Sequence, residues 1–220
     1  WQSTAGASLT FSLGLPLRPA DWSGLSLAVG VSVADSLDAL LAQRALTAPL
    51  QPLPTVQLKW PNDLWMDGKK VAGILIETAH AGDSRFVVIG IGINITPPPE
   101  LPAPPQATPG SVALPPTPPT GLAAFAHPLD AADALASLLP GLVADVLTFE
   151  AHGFGAFASR FAARDALAQQ PLLLSDGTQG TGQGVDATGA LQLLTAQGMR
   201  VVNSAEVSVR PVVGGLGSRC

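Results

Sequence analysis

The 220-residue sequence carries 11 Lys and Arg against 16 Asp and Glu, a net charge of -5, and 47% of its residues are hydrophobic, which fits one or two globular domains and argues against nucleic-acid binding as the main task. A single cysteine, Cys220, excludes an internal disulfide, a Cys-based zinc site or a CxxC redox pair within one chain, and His80, His127 and His152 lack metal-ligand spacing. The longest apolar stretches, residues 25–34 and 86–95, fall short of the ~20 residues that span a bilayer, so no membrane segment is expected, and no secretory signal is visible after Trp1.

Taken in chain order, residues 8–14 alternate apolar Leu9, Phe11 and Leu13 with small or polar neighbours, the period of a half-buried strand. After Pro16 and Pro19, Asp21 or Ser23 can cap a helix whose broad apolar face runs from Leu25 to Leu41. Residues 56–60 read as the next strand. Residues 64–66 and 69–77 flank Asp67-Gly68, a pair suited to the two positive-φ positions of a type I′ hairpin turn. A further strand covers 86–95. Residues 97–119 are proline-rich and lack Lys, Arg and Asp, which predicts an extended surface loop without a core of its own. Helical spacing returns over 130–150, interrupted at Pro140-Gly141, and again over 154–168 with Phe154, Phe157 and Phe161 on one side. Beyond Pro171, short apolar runs at 172–174, 191–194, 200–202 and 207–209 alternate with glycine-rich separators, including 180–184, the pattern of a small antiparallel barrel. The expected division is residues 1–166 and 167–220.

Two features bear on chemistry. In the strand over 86–95, Ile89, Ile91, Ile93 and Ile95 share one face, and Gly90, Gly92 and Asn94 the other. Paired glycines on one face leave bare backbone, suited to close packing or to the approach of a ligand, and Asn94 adds a donor and an acceptor at the end of that face. No helix follows these glycines, so they are not the GxGxxG dinucleotide motif. The second feature is the lysine distribution: Lys59, Lys69 and Lys70, the three lysines of the chain, fall within twelve residues. Pro61 fixes the backbone after a strand, Asn62 and Asp63 project from its end, and Lys70 lies just past the tight turn as a compact point charge suited to a phosphate or a carboxylate. GxSxG, HExxH and P-loop motifs are absent from the sequence.

Together the strings Lys59-Trp-Pro-Asn-Asp-Leu64, Gly68-Lys-Lys-Val-Ala-Gly-Ile-Leu-Ile-Glu77 and Val88-Ile-Gly-Ile-Gly-Ile-Asn94, in this order and spacing, resemble the bacterial biotin-protein ligases, or biotin-[acetyl-CoA-carboxylase] ligases. The start at Trp1 resembles the segment following that family's ligand loop, and residues 205–210 are similar to its closing strand. The resemblance implies an α+β fold, a mixed β-sheet flanked by helices as in class II aminoacyl-tRNA synthetases, followed by a small SH3-like barrel. It also implies two reactions: biotin and MgATP form biotinyl-5′-AMP, and a lysine of a biotin carboxyl carrier protein then takes the biotin.

By the same resemblance, Lys70 neutralises the biotin carboxylate and then the adenylate phosphate, and Asp63 acts at the reacting centre. Gly73, Gly90 and Gly92 line the biotin site. Trp1, Asn94 and Arg210, the last with Glu206 nearby, serve the nucleotide, and Lys59 and Lys69 frame the strand and turn. The implied substrates are biotin and ATP with Mg2+, the partner is the carrier protein, a second copy could pair at a sheet edge, and the setting is cytoplasmic. The family's Gly/Arg-rich loop and a Ser-Thr pair, which precede the tryptophan matching Trp1, are not among these 220 residues, nor is the repressor domain of some members. The alternatives are therefore a truncated biotin- or adenylate-binding relic and a lipoate or octanoate transferase on the same fold.

Overall fold

A computed structural model describes residues 5–45, 53–81, 84–98, 116–126, 128–203 and 209–212. Trp1, His127, Glu206, Val207, Cys220 and most of the proline-rich stretch lie outside the described residues, so the expectations placed on them do too. The α+β class holds. The first sheet contains β1 (Ser8–Pro16), β2 (Gln57–Lys59), β3 (Asp63–Met66), β4 (Lys69–Ala81) and β5 (Ser84–Asn94) in the order β1-β5-β4-β3-β2. The mixed sheet expected from the resemblance is instead antiparallel: among the described residues every ladder of this sheet runs antiparallel, and parallel pairing is confined to two isolated bridges, Leu58 with Asp165 and Lys70 with Pro119.

Alternation along these strands decides which face is covered. Ile89, Ile91 and Ile93 are fully buried, as are Ala72 and Ile74 beside them. Against this face packs α1 (Leu25–Ala45), and α2 (Ala131–His152) lies on α1 and touches β1. Helix α1 is buried on most sides because it sits between two layers. Both helices are long and apolar enough to cross a bilayer, with mean hydropathies of 1.6 and 1.5, which corrects the expectation drawn from the longest apolar stretches: Ser, Ala and Gly lengthen each helix without lowering its hydropathy much. In α1, 67% of that stretch is buried inside the protein, the environment of a core helix.

Several other expectations change. Helix α2 runs unbroken through Pro140, because Ala134, Leu138, Leu142, Val146 and Phe149 bury one stripe along its length. Gly141 lies at the crossing with α1, where a Cβ would come 3.4 Å from the Ser36 hydroxyl, so the small residue serves packing there. The helix expected over 154–168 is a single 3-10 turn, Phe154–Ala156, and the short α3 (Ala158–Ala162). Its three phenylalanines are buried nonetheless.

The second sheet holds β6 (Pro171–Leu174), β7 (Gln179–Val185), β8 (Leu191–Thr195), β9 (Gly198–Val202) and β10 (Val209–Pro211), ordered β10-β6-β7-β8-β9. Here the glycine run expected to separate strands is itself strand β7. A Cβ on Gly180 would fall 2.5 Å from the Leu194 carbonyl oxygen, and one on Gly182 2.2 Å from that of Leu167, so these glycines permit close backbone approach. The connection between the two sheets covers the edge at β2: the Leu58 N–H donates to the Arg164 carbonyl at 2.8 Å, and the Ala166 N–H to the Leu58 carbonyl at 2.9 Å.

Candidate active site

One row of residues crosses the whole first sheet. Lys59 on β2 lies opposite Asp63 on β3, Asp63 opposite Gly73 on β4, Gly73 opposite Gly92 on β5, and Gly92 opposite Thr10 on β1. Directly opposed residues project to the same side, and this is the side away from the helices, where Thr10 and Ser12 are exposed. The adjacent row runs Leu75, Gly90, Ser12. Leu75 is 59% exposed, and a Cβ on Gly90 would meet nothing closer than 3.6 Å. The surface is thus a floor of glycine backbone, open above Gly90, half-buried at Gly73 and buried at Gly92, with one exposed apolar side chain, hydroxyls along one margin and charge along the other. Such a floor accepts a flat, mostly apolar group lying on backbone.

The tight β3–β4 turn positions the charged margin. Asp67 and Gly68 take φ values of 51° and 69°, both positive as a type I′ turn requires. Pairing then slips by one residue: Leu64 faces Ala72 but Trp65 faces Lys70, leaving buried Val71 as the extra residue of a β-bulge. The bulge turns Lys70 to the Asp63 side of the sheet, as bulges re-aim side chains next to functional surfaces. Lys70 Nζ donates to Asp63 Oδ1 at 2.5 Å. Asp63 is held in turn by its neighbour Asn62, whose side-chain amide donates to the Ile74 carbonyl at 2.8 Å while the Ile74 N–H donates back to Asn62 at 2.9 Å. The Trp60–Pro61 peptide preceding it is cis.

The backbone of Lys70 is fixed separately. The chain returning from the proline-rich stretch lies alongside it: the Lys70 N–H donates to the Pro118 carbonyl at 2.9 Å, and the Thr120 N–H to the Lys70 carbonyl at 2.8 Å. Asn94, 6% exposed, donates its amide to the Thr120 carbonyl at 2.9 Å and reaches that of Lys70 at 3.5 Å. The asparagine expected to serve a nucleotide ties the strand end to the backbone of the lysine.

Lys59 joins the cluster. Its Nζ lies 3.7 Å from Asp63 Oδ2, and its side chain is 3% exposed. Burial pushes its pKa down to about 8 against the attraction of Asp63, with the charges of Arg210 and Lys70 adding to the push. Arg210, on β10 of the second sheet, is therefore near enough to be felt electrostatically. Around one carboxylate stand two lysine ammonium groups, with the Arg210 guanidinium within electrostatic reach of Lys59, so positive charge gathers beside the glycine floor. This arrangement can hold an anion and stabilise negative charge developing on it.

Of the residues singled out in the sequence, the structure brings together Asp63, Lys70, Gly73, Gly90, Gly92 and Asn94, with Arg210 at the border. Exposed Lys69 stays on the turn. Thr10, Ser12 and Leu75 share the same surface without having been singled out, and Lys59 is part of the cluster and not merely of its frame. Alternation placed Thr10 and Ser12 opposite in phase to Leu9 and Phe11. Their apposition to Gly92 and Gly90 is a long-range register that one sequence does not display. Among the described residues no three His, Cys, Asp or Glu side chains gather as a metal site.

Residues 1–94 match the Biotin/lipoate A/B protein ligase family, and residues 172–210 match the Biotin protein ligase C terminal domain. The biotin--[acetyl-CoA-carboxylase] ligase of Paracoccus denitrificans is 32% identical over 77% of this chain and 69% of its own length. The bifunctional ligase/repressor BirA of Escherichia coli is 32% identical over 96% of this chain, which spans 61% of that relative. Among solved structures, the biotin protein ligase of Aquifex aeolicus in complex with biotin and ATP superposes with a TM-score of 0.72 at 24% identity, over 94% of this chain and 79% of that one.

Proposed function

The chain belongs to the biotin protein ligase family, and on that premise we propose that it supplies the core of an ATP-dependent ligase that joins biotin to a lysine of a biotin carboxyl carrier protein. The observation that carries this reading is the single row in which Lys59, Asp63, Gly73 and Gly92 stand side by side, a charged margin continuous with a bare floor. Biotin's fused rings would lie over Gly73, Gly90 and Gly92, with its carboxylate at Lys70. Two anions must then meet, and Lys70, Lys59 and Arg210 would offset their repulsion before the reaction begins.

In the first step a biotin carboxylate oxygen bonds to the α-phosphorus of ATP as the bond to pyrophosphate breaks. Mg2+ would accompany the nucleotide phosphates and offset part of their charge, since no His, Cys, Asp or Glu cluster among the described residues would hold it on the protein alone. In the second step the acceptor amine attacks the activated carbonyl, AMP leaves with the bonding pair, and the amine loses a proton. Asp63, held at 2.5 Å from Lys70, would orient the amine and receive or relay that proton. As an ATP consumer the protein would act in the cytoplasm.

Incubation of the chain with biotin, MgATP and a purified carrier domain tests the reading, with streptavidin blotting as the measurement. Labelling of the carrier that requires both biotin and ATP is expected. Labelling no greater than that of the carrier alone contradicts it, and adenylate binding without transfer would identify a binding relic instead. Displacement of biotin by lipoate would favour acyl transfer of the other kind.

A further inference from the structure

The two sheets meet at a small joint that places strict demands on its residues. Gly24 and Gly189 have φ values of 78° and 82°. A Cβ on Gly189 would lie 3.0 Å from Gly24 Cα and 3.0 Å from Leu27 Cδ1, and one on Gly24 would lie 2.6 Å from the Phe154 ring. Into this contact the indole of Trp60, 2% exposed, donates its N–H to the Gly189 carbonyl at 3.0 Å. The far side of the joint is rigid, because the Asp186 carboxylate accepts from the N–H groups of Thr188 and Ala190 and the Asp186 carbonyl from that of Gly189. Beside it a cavity of about 180 Å³ opens between Ser23, Pro61, Thr188 and Asn203.

Both ends of the joint lead to the charged cluster. Trp60 sits between Lys59 and the Pro61-Asn62-Asp63 segment, and the second sheet carries Arg210. We propose that Trp60, Gly189 and Gly24 form a positioning device that seats the second sheet so that Arg210 stands close to the Lys59–Asp63–Lys70 cluster, and that catalysis depends on this seating. The structural half stands on the joint alone, and the catalytic half rests on the ligase reading above. One neutral hydrogen bond is worth only about 1 kcal/mol of stability, whereas misplacing a catalytic group by about 1 Å can cost roughly 100-fold in rate. Loss of the Trp60 hydrogen bond alone therefore costs more in rate than in folding.

The chain has three lysines, so side-chain NMR of lysine-labelled full-length protein gives three signals and isolates Lys59 without reference to activity. Lys59 is faced by Asp63, Lys70 and Arg210. In Trp60→Phe, which loses the donor, and Gly189→Ala, which forces the contact apart, Arg210 recedes and the Lys59 midpoint moves up from about 8 towards its ordinary value. Arg210→Gln should raise it in the same way, and Gly189→Ala should add little in that background. Met199→Ala, on an exposed part of β9, should leave it unchanged.

Biotin-dependent adenylate formation should fall about 10-fold or more in kcat, at nearly constant KM for biotin, in both joint variants. An unchanged Lys59 midpoint in folded Trp60→Phe overturns the proposal even if Gly189→Ala fails to fold. A raised midpoint with full kcat overturns the catalytic half. Should the unaltered chain form no adenylate, the ligase reading fails, while the midpoints still decide whether the joint seats Arg210.

Discussion

Asp63 holds two lysines, and its burial makes that pairing a structural necessity as well as a chemical resource. With Lys59 only 3% exposed, removing the carboxylate leaves a buried ammonium without its partner, the costly half of any buried pair. Asp63→Ala should lose about 3 kcal/mol in urea unfolding at pH 7, and adding Lys59→Met should restore most of it. A loss that Lys59→Met does not restore would mean that Asp63 stabilises the fold through other contacts. Asp63 and Lys70 were legible in the sequence because they flank a turn, with Asp63 at a strand end. Lys59 was read only as framing, since its position opposite Asp63 depends on how tightly residues 60–62 turn.

Lys59 also gives stability a pH signature. Its folded pKa of about 8 lies below the ordinary lysine value. Below about 8 both folded and unfolded chains hold the proton and the full cost of burying it is paid. Above that the native lysine releases its proton while the unfolded one keeps it, so stability rises with pH until the unfolded lysine titrates, at no more than about 1.4 kcal/mol per unit. The sequence has no tyrosine and one cysteine, so few other groups obscure the rise. Denaturation midpoints between pH 8 and 10 should climb in the unaltered chain and stay flatter in Lys59→Met. Equal slopes would remove Lys59 as the source.

At the level of elements, the glycines divide into two kinds that sequence pattern does not separate. Gly180 and Gly182 looked like strand separators, yet they lie inside β7 because other backbones press on them. Gly121 is of the same kind: its Cβ would fall 2.4 Å from the Thr96 carbonyl carbon, just where the returning chain locks Lys70 in place. Gly90, by contrast, has room above it. Gly121→Ala should therefore cost about 2 kcal/mol or more of stability, measured by denaturant unfolding, and Gly90→Val much less. A well-tolerated Gly121→Ala would mean that the segment shifts freely and does not fix Lys70. The bulge at Val71 that turns Lys70 towards Asp63 was equally hidden, since Gly68 to Gly73 reads as plain strand.

For the molecule as a whole, the sequence revealed the order of the elements and the α+β class, chiefly through local signals: alternation, the Asp-Gly turn and the strings shared with the ligases. It did not reveal how the second sheet sits on the first. That seating depends on Gly24, Trp60 and Gly189, far apart along the chain, and none of the three carries a local mark of the contact. A chain with a net charge of -5 gathers two of its three lysines around one carboxylate and brings a guanidinium of the other sheet within electrostatic reach.

The glycine face beside this cluster is the surface proposed to bind biotin and its adenylate. Calorimetric titration of a non-hydrolysable biotinyl-adenylate analogue into the unaltered chain and into Gly90→Val tests this, because a Cβ at Gly90 projects over the floor and meets no protein atom closer than 3.6 Å. Saturable binding to the unaltered chain is expected, with a loss of about 100-fold or more in Gly90→Val and similar denaturation midpoints for the two proteins. Equal affinity in both, or no binding to the unaltered chain, would contradict it.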